Sequence, residues 1–320
     1  MDVDALIWQY GQGKRDFSRL DLPRIELIRE TLVEINLSRT SLEWANLSGT
    51  NLTKANLNRA DLVCVRLISA ILVEADLTGA NLQDADLSWV NLKNARLVSA
   101  DLRGANLKQV NLSYADLRSA NLAGANLSGA VLNGAKLNRV DLSEANLSGV
   151  NLSGANLSRA DLSYADLREV DLTNANLYKA DISQSKLYNT DFQEAVLQGA
   201  NFSRANLKGA NLAGAILREV NLSLVNLSEF SLLEVTVAAE IDLSSANLQK
   251  ANLQGATLRH ANLGYSLLHR TFLNDSILRG ANLIDASLSG GNFRNADFRN
   301  SNISQINLTE ATMPDGSVHP

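Results

Sequence analysis

The chain has 320 residues, enough to bury a substantial core, and its single cysteine, Cys64, rules out an internal disulfide framework. Its net charge of -5 excludes the strongly basic balance that draws proteins to nucleic acid or anionic membranes without sequence preference. Three scattered histidines do not make a zinc cluster, so no metal and no cofactor is expected.

The first predicted element is a short helix over Asp4 to Tyr10, with Val3, Leu6, Ile7 and Tyr10 on one face and Gly11 and Gly13 ending it. Residues 1–14 are read as an N-terminal cap. The opening MDVDALIWQY lacks the basic-then-apolar order of a secretory signal, and no run reaches the roughly 18 apolar residues of a membrane span. A soluble cytoplasmic protein with no membrane insertion is expected.

From residue 15 to 237 the sequence repeats with a period of five, as in ANLSGANLSRADLSYADL. Numbering the unit Ala 1, Asn or Asp 2, Leu 3 and two mostly polar residues 4 and 5, position 3 is Leu at almost every step, with Phe17, Ile182, Phe192 and Phe202 among the exceptions. An α-helix would smear leucines spaced by five around its circumference, and a straight strand would send alternate ones to opposite faces. Positions 1 and 3 share one face of a short extended piece, so the chain must turn between successive leucines. Gly49, Gly79, Gly104, Gly124, Gly129 and others at position 5 fit the third residue of a type II turn, where φ is positive, and Pro23 falls at the second. The chain is a solenoid in which each interior Leu, Leu127 for example, fills a dry axis.

Charges supply the number of sides. Arg19-x-Asp21, Arg59-x-Asp61, Arg139-x-Asp141, Arg159-x-Asp161 and Lys179-x-Asp181 recur at multiples of twenty, as four sides to a coil would stack them. We expect a ladder of ion pairs there, and a rod of roughly 15 coils and 70 Å if coils stack about 4.8 Å apart. With these residues in view, the sequence resembles the pentapeptide-repeat protein family. That resemblance implies an all-β fold, a right-handed quadrilateral parallel β-helix with its N-terminal capping helix. Bulky Leu20, Ile25 and Ile35 at position 1 depart from the pattern and are expected to line a wider first coil.

After Leu232 and Val237 the frame slips by one residue across 238–242, near Phe230, and resumes over 243–312. The slip reads as a one-residue bulge at a corner. Residues 313–320, MPDGSVHP, read as a turn. Phe293, Phe298, Ile303, Ile306 and Met313 make the last coils rich in large apolar side chains, so an end-to-end homodimer stands beside a self-contained loop cap.

Catalytic chemistry is not indicated. Cys64 has no neighbouring His or Lys to activate it, His260 and His269 lie half a coil apart, and paired carboxylates such as Asp84 with Asp86 have no cleft to desolvate them. Arg259, Arg279 and Arg299 fall at position 4 one coil apart with only Asp297 as an evident acidic neighbour, and form a candidate partner-binding column. The expected function is a non-enzymatic scaffold that binds another protein, with no direct nucleic-acid contact. The resemblance also implies an alternative, since one branch of that family mimics duplex DNA and protects topoisomerases from quinolones.

Overall fold

The computed structural model describes residues 1–212, 214–217, 219–225 and 243–320. They form two compact units, Met1–Asp166 and Leu167–Pro320. The frame slip at 238–242 and Phe230 lie outside the described residues.

The first unit opens with α1, Val3–Gly11, whose N-cap Asp2 accepts the Ala5 amide at 2.8 Å. Leu6 is fully buried, and the Tyr10 hydroxyl donates to the Val33 carbonyl at 2.9 Å. Ile7 is half-buried. Helix α1 therefore sits against the first turns of the solenoid, where Ile25 and Ile35 are buried and Leu20 is half-buried.

Beyond α1, residue i pairs in parallel with residue i+20, from Asp16 with Asn36 to Asn146 with Asp166. A bend falls every five residues, so each coil has four sides. One repeat, 51–55, accounts for every backbone N–H. Leu52 donates to Ile71 and Lys54 to Val73 in the next coil, Asn51 to Glu30 in the coil before, and Ala55 closes the turn onto Leu52. The fifth, Thr53, donates to the Asn51 side chain at 3.0 Å. Asn or Asp at position 2 thus satisfies the one amide that no ladder or turn bond can reach. The same side chains stack between coils, as where Asn36 donates to Asp16 and Asn106 to Asp86.

Leu at position 3 and Ala at position 1 are buried in the described coils up to the last, where Leu308 is half-buried, and Leu127 is buried completely. Where position 1 is Thr, the buried hydroxyl finds a carbonyl in the coil before: Thr40 donates to Phe17 at 2.9 Å, and Thr50 to Leu27.

Position 5 departs from the expectation built on glycine. Its φ is near +60° at every described corner, whether the residue is Gly154 or Arg19, Trp44, Glu74 or Tyr114. The turn imposes the left-handed conformation and the coil-to-coil ladders hold it, so glycine is not a requirement of the backbone there.

The second unit repeats this pairing from Asp171 with Asp191 to Asn292 with Thr312. Phe192 and Phe202 fill its interior edge to face, ring centroids 5.7 Å apart. One register differs: Asn221 pairs with Asn247, 26 residues on rather than 20. That coil is therefore six residues longer than the others, one whole repeat plus one. A period of five reveals an insertion only by its remainder. The chain ends in a turn, Met313 to Ser317, that returns Val318 antiparallel to Thr312.

Candidate interaction surface

Because Leu and Ala point inward, only positions 2, 4 and 5 present side chains outward, in columns one coil apart. Where a large position 5 side chain is followed by a glycine corner in the next coil, it leans over that glycine. Arg29 lies against Gly49, Arg59 against Gly79, Tyr114 against Gly134 and His260 against Gly280. Gly124 and Gly154, which follow a glycine, have nothing over them.

This lean explains why the expected basic-x-Asp ladder does not form. Among the described residues, none of Arg19, Arg59, Arg139, Arg159 or Lys179 makes an ion pair with the Asp two residues on. Arg59 and Lys179 lie over the next corner of the stack, while Asp141 and Asp161 use a carboxylate oxygen to accept the Ser143 and Ser163 amides. Three pairs that do form have the reverse order, Asp at position 2 and Arg at position 4 of one turn. Arg103 meets Asp101 at 2.6 Å, Arg118 meets Asp116 at 2.7 Å, and Arg299 meets Asp297 at 2.6 Å. Hydrogen bonds from these guanidiniums hold all three carboxyls below their usual range.

Of the arginine column, Arg259 is exposed, and Arg279 and Arg299 share Asp297, with Arg279 at 3.7 Å. The Nε of Arg279 is buried with no hydrogen-bond partner. One carboxylate thus serves two of three stacked cations.

The first unit carries two grooves along one face, formed by positions 2, 4 and 5. One, of about 570 Å³, is lined by Arg19 and Arg39 together with Asp16 and Asp76. The other, of about 500 Å³, is lined by Val98, Arg118, Ser119, Asn138, Arg139, Ser158 and Arg159 and has no carboxylate in its wall. Position 5 there runs Arg59, Gly79, Ser99, Ser119, Arg139, Arg159, and the groove lies where Ser119 gives way to the two arginines.

At the C-terminal end, Phe293 was grouped with the end surface from sequence but is fully buried and stacks edge to face with Phe298 at 5.6 Å. It lies one coil in, with its amide bonded to Thr312. Ile303 is 49% exposed, and Phe298, Ile306 and Met313 are half-buried. The tail pairs with the side at Thr312, and the amides of Phe298, Asn300, Ile303, Gln305 and Leu308 have no acceptor among the described residues.

Burial, with Asp84 and Glu43 nearby, pushes the Cys64 thiol above its ordinary value, the reverse of an activated nucleophile. His260 leans on Gly280 and His269 bonds Ser289, and no group of metal-binding side chains occurs among the described residues. No described helix is long and apolar enough to cross a membrane.

A family model described as pentapeptide repeats matches residues 35–72, 70–109, 111–149, 151–187, 185–223, 239–275 and 276–313. Among solved structures, HetL, involved in heterocyst differentiation regulation in the cyanobacterium Nostoc sp. strain PCC 7120, is 28% identical over 100% of both chains with a TM-score of 0.26. A second pentapeptide repeat protein from Nostoc, alr5209, is 37% identical over 33% of this chain and 80% of its own, with a TM-score of 0.23. QnrB1, a plasmid-mediated fluoroquinolone resistance protein, is 17% identical over 64% of this chain and 94% of its own, with a TM-score of 0.24. Among curated proteins none matches the chain. The repeat matches, not these loose superpositions, carry the family assignment.

Proposed function

We propose, from the premise that the chain belongs to the pentapeptide-repeat family, that it acts without catalysis, as a scaffold presenting side-chain columns to another protein. The family implies right-handed winding, and the carrying observation is that Leu and Ala fill the interior to near-zero exposure, which leaves the outward columns as the surface for recognition. Arg259, Arg279 and Arg299 are one such column. The corner arginines count against duplex mimicry, which needs a continuous negative face. The lone free Cys64 suits a reducing cytoplasm.

The C-terminal end is proposed as the place where a second copy docks, through Phe298, Ile303, Ile306 and Met313. The amides of the last coil that have no acceptor among the described residues are an open β edge. Photo-crosslinking from position 260, at the corner beside Arg259, in intact cells tests the scaffold reading. One recurrent crosslinked protein, lost on Arg279→Glu, supports it; turnover of a substrate that depends on one named side chain overturns it. Analytical ultracentrifugation tests the dimer, which Ile303→Asp should dissociate.

A further inference from the structure

We infer that the groove of the first unit bounded by Arg139 and Arg159 binds an acidic peptide segment of a partner protein. The inference rests on the scaffold reading and names the chemistry of its partner. Arg139 and Arg159 stand at one corner of consecutive coils, about 4.8 Å apart, and neither meets a carboxylate among the described residues. Like charges that close repel unless water or an anion intervenes, and a carboxylate placed between two guanidiniums removes the repulsion while gaining two charge-assisted bonds.

The neighbouring groove is the internal comparison. It also holds two corner arginines, Arg19 and Arg39, but Asp16 and Asp76 stand in its wall, so an incoming carboxylate would meet like charge there. In the Arg139 groove the third arginine, Arg118, is already tied to Asp116 through Nε and Nη2, and so acts as a fixed rim. Asn138 donates its side-chain amide to Ser158 at 2.6 Å, which leaves the Asn138 side-chain oxygen to receive a peptide amide, and Val98 gives the groove an apolar contact.

A peptide fits better than a nucleic acid. Asp141 and Asp161 follow the two arginines around the corner, and a duplex with a charge every 1.7 Å or so would meet them as well as the cations. A peptide can place one carboxylate on the pair and turn uncharged groups toward the aspartates.

The test measures fluorescence anisotropy of a labelled eight-residue peptide of alternating Glu and Gly, with its Gln counterpart and an oligothymidylate of equal charge as controls. The full-length protein should bind the Glu peptide, the Arg139→Glu/Arg159→Glu variant should bind it at least about tenfold more weakly, and Arg19→Glu/Arg39→Glu should bind as the parent does. Unchanged melting of both variants shows that folding is intact. Equal losses in both variants, no binding by the parent, or oligothymidylate binding as tight as the peptide would each overturn the inference. A crosslinked cellular partner that survives Arg139→Glu/Arg159→Glu would leave the scaffold reading standing and remove this groove from it.

Discussion

Tyr114 lies across Gly134: a methyl group added to Gly134 would sit 2.7 Å from two carbons of the Tyr114 ring. Gly154, one coil further on, has the same φ of +64° and nothing within 4 Å. Glycine at a corner thus accommodates the overhanging side chain of the coil before, whereas the positive φ is shared by all corners.

Gly154→Ala should cost about 1 kcal/mol for the left-handed conformation alone. Gly134→Ala should cost about 1 kcal/mol more, because the Tyr114 ring must move. Urea unfolding of both, and of Gly134→Ala combined with Tyr114→Ala, checks this. The second change should recover the excess; equal losses at both glycines would show that the overhang has no energetic weight.

Leu127 fills one slot of the interior and is fully buried. Leu127→Ala should destabilise by about 2 to 5 kcal/mol, since a column held between stacked coils collapses poorly around a cavity. An unchanged unfolding midpoint would refute it.

Asn111 accepts the Ser113 amide at 3.0 Å and the Ser113 hydroxyl at 2.7 Å. Asn111→Leu should lose about 1 to 2 kcal/mol, with Asn111→Asp much closer to the parent because it keeps the acceptor. Similar unfolding curves for Leu and Asp would remove position 2 from the hydrogen-bond account.

The Leu column, the bend every five residues and the N-terminal helix were legible in the sequence because each follows from apolar periodicity or capping chemistry, and the four-sided coil was legible from charges that recur at multiples of twenty. The ion pairs were not. Spacing of twenty places Arg159 and Asp161 in one neighbourhood but does not say that a corner side chain leans along the stack while the Asp oxygen is occupied by Ser163. The Asp101 and Arg103 pairing carries a readable signal, Asp-Leu-Arg within one repeat. Phe293 was misplaced because composition cannot tell the last coil from the one before it. The arginine groove is visible only once Val98, Ser119 and Asn138 stack beside Arg139.

Acid should weaken the end of the second unit. The Asp297 carboxyl is held well below its usual value by hydrogen bonds from the Arg299 side chain and backbone, so its stabilising contribution is complete above the unfolded value near pH 4 and is lost as pH falls through the folded one. Melting followed from pH 7 to pH 2 should fall less steeply for Asp297→Asn than for the parent. Parallel curves would show that the Arg299 pair contributes nothing.

Removal of residues 1–13 uncovers the apolar start that Leu6 and Tyr10 seal. Light scattering should report aggregation of the truncated chain. A soluble, fully folded product would show that α1 is dispensable.

The register of twenty residues per coil underlies every column described above, and a spin-spin distance reads it directly. With Cys64→Ser as background, labels at Ser48→Cys and Ser148→Cys lie on one column of the first unit, five coils apart, and should report about 24 Å. A distance of about 32 Å, as a three-sided coil of fifteen residues would give, would contradict the account.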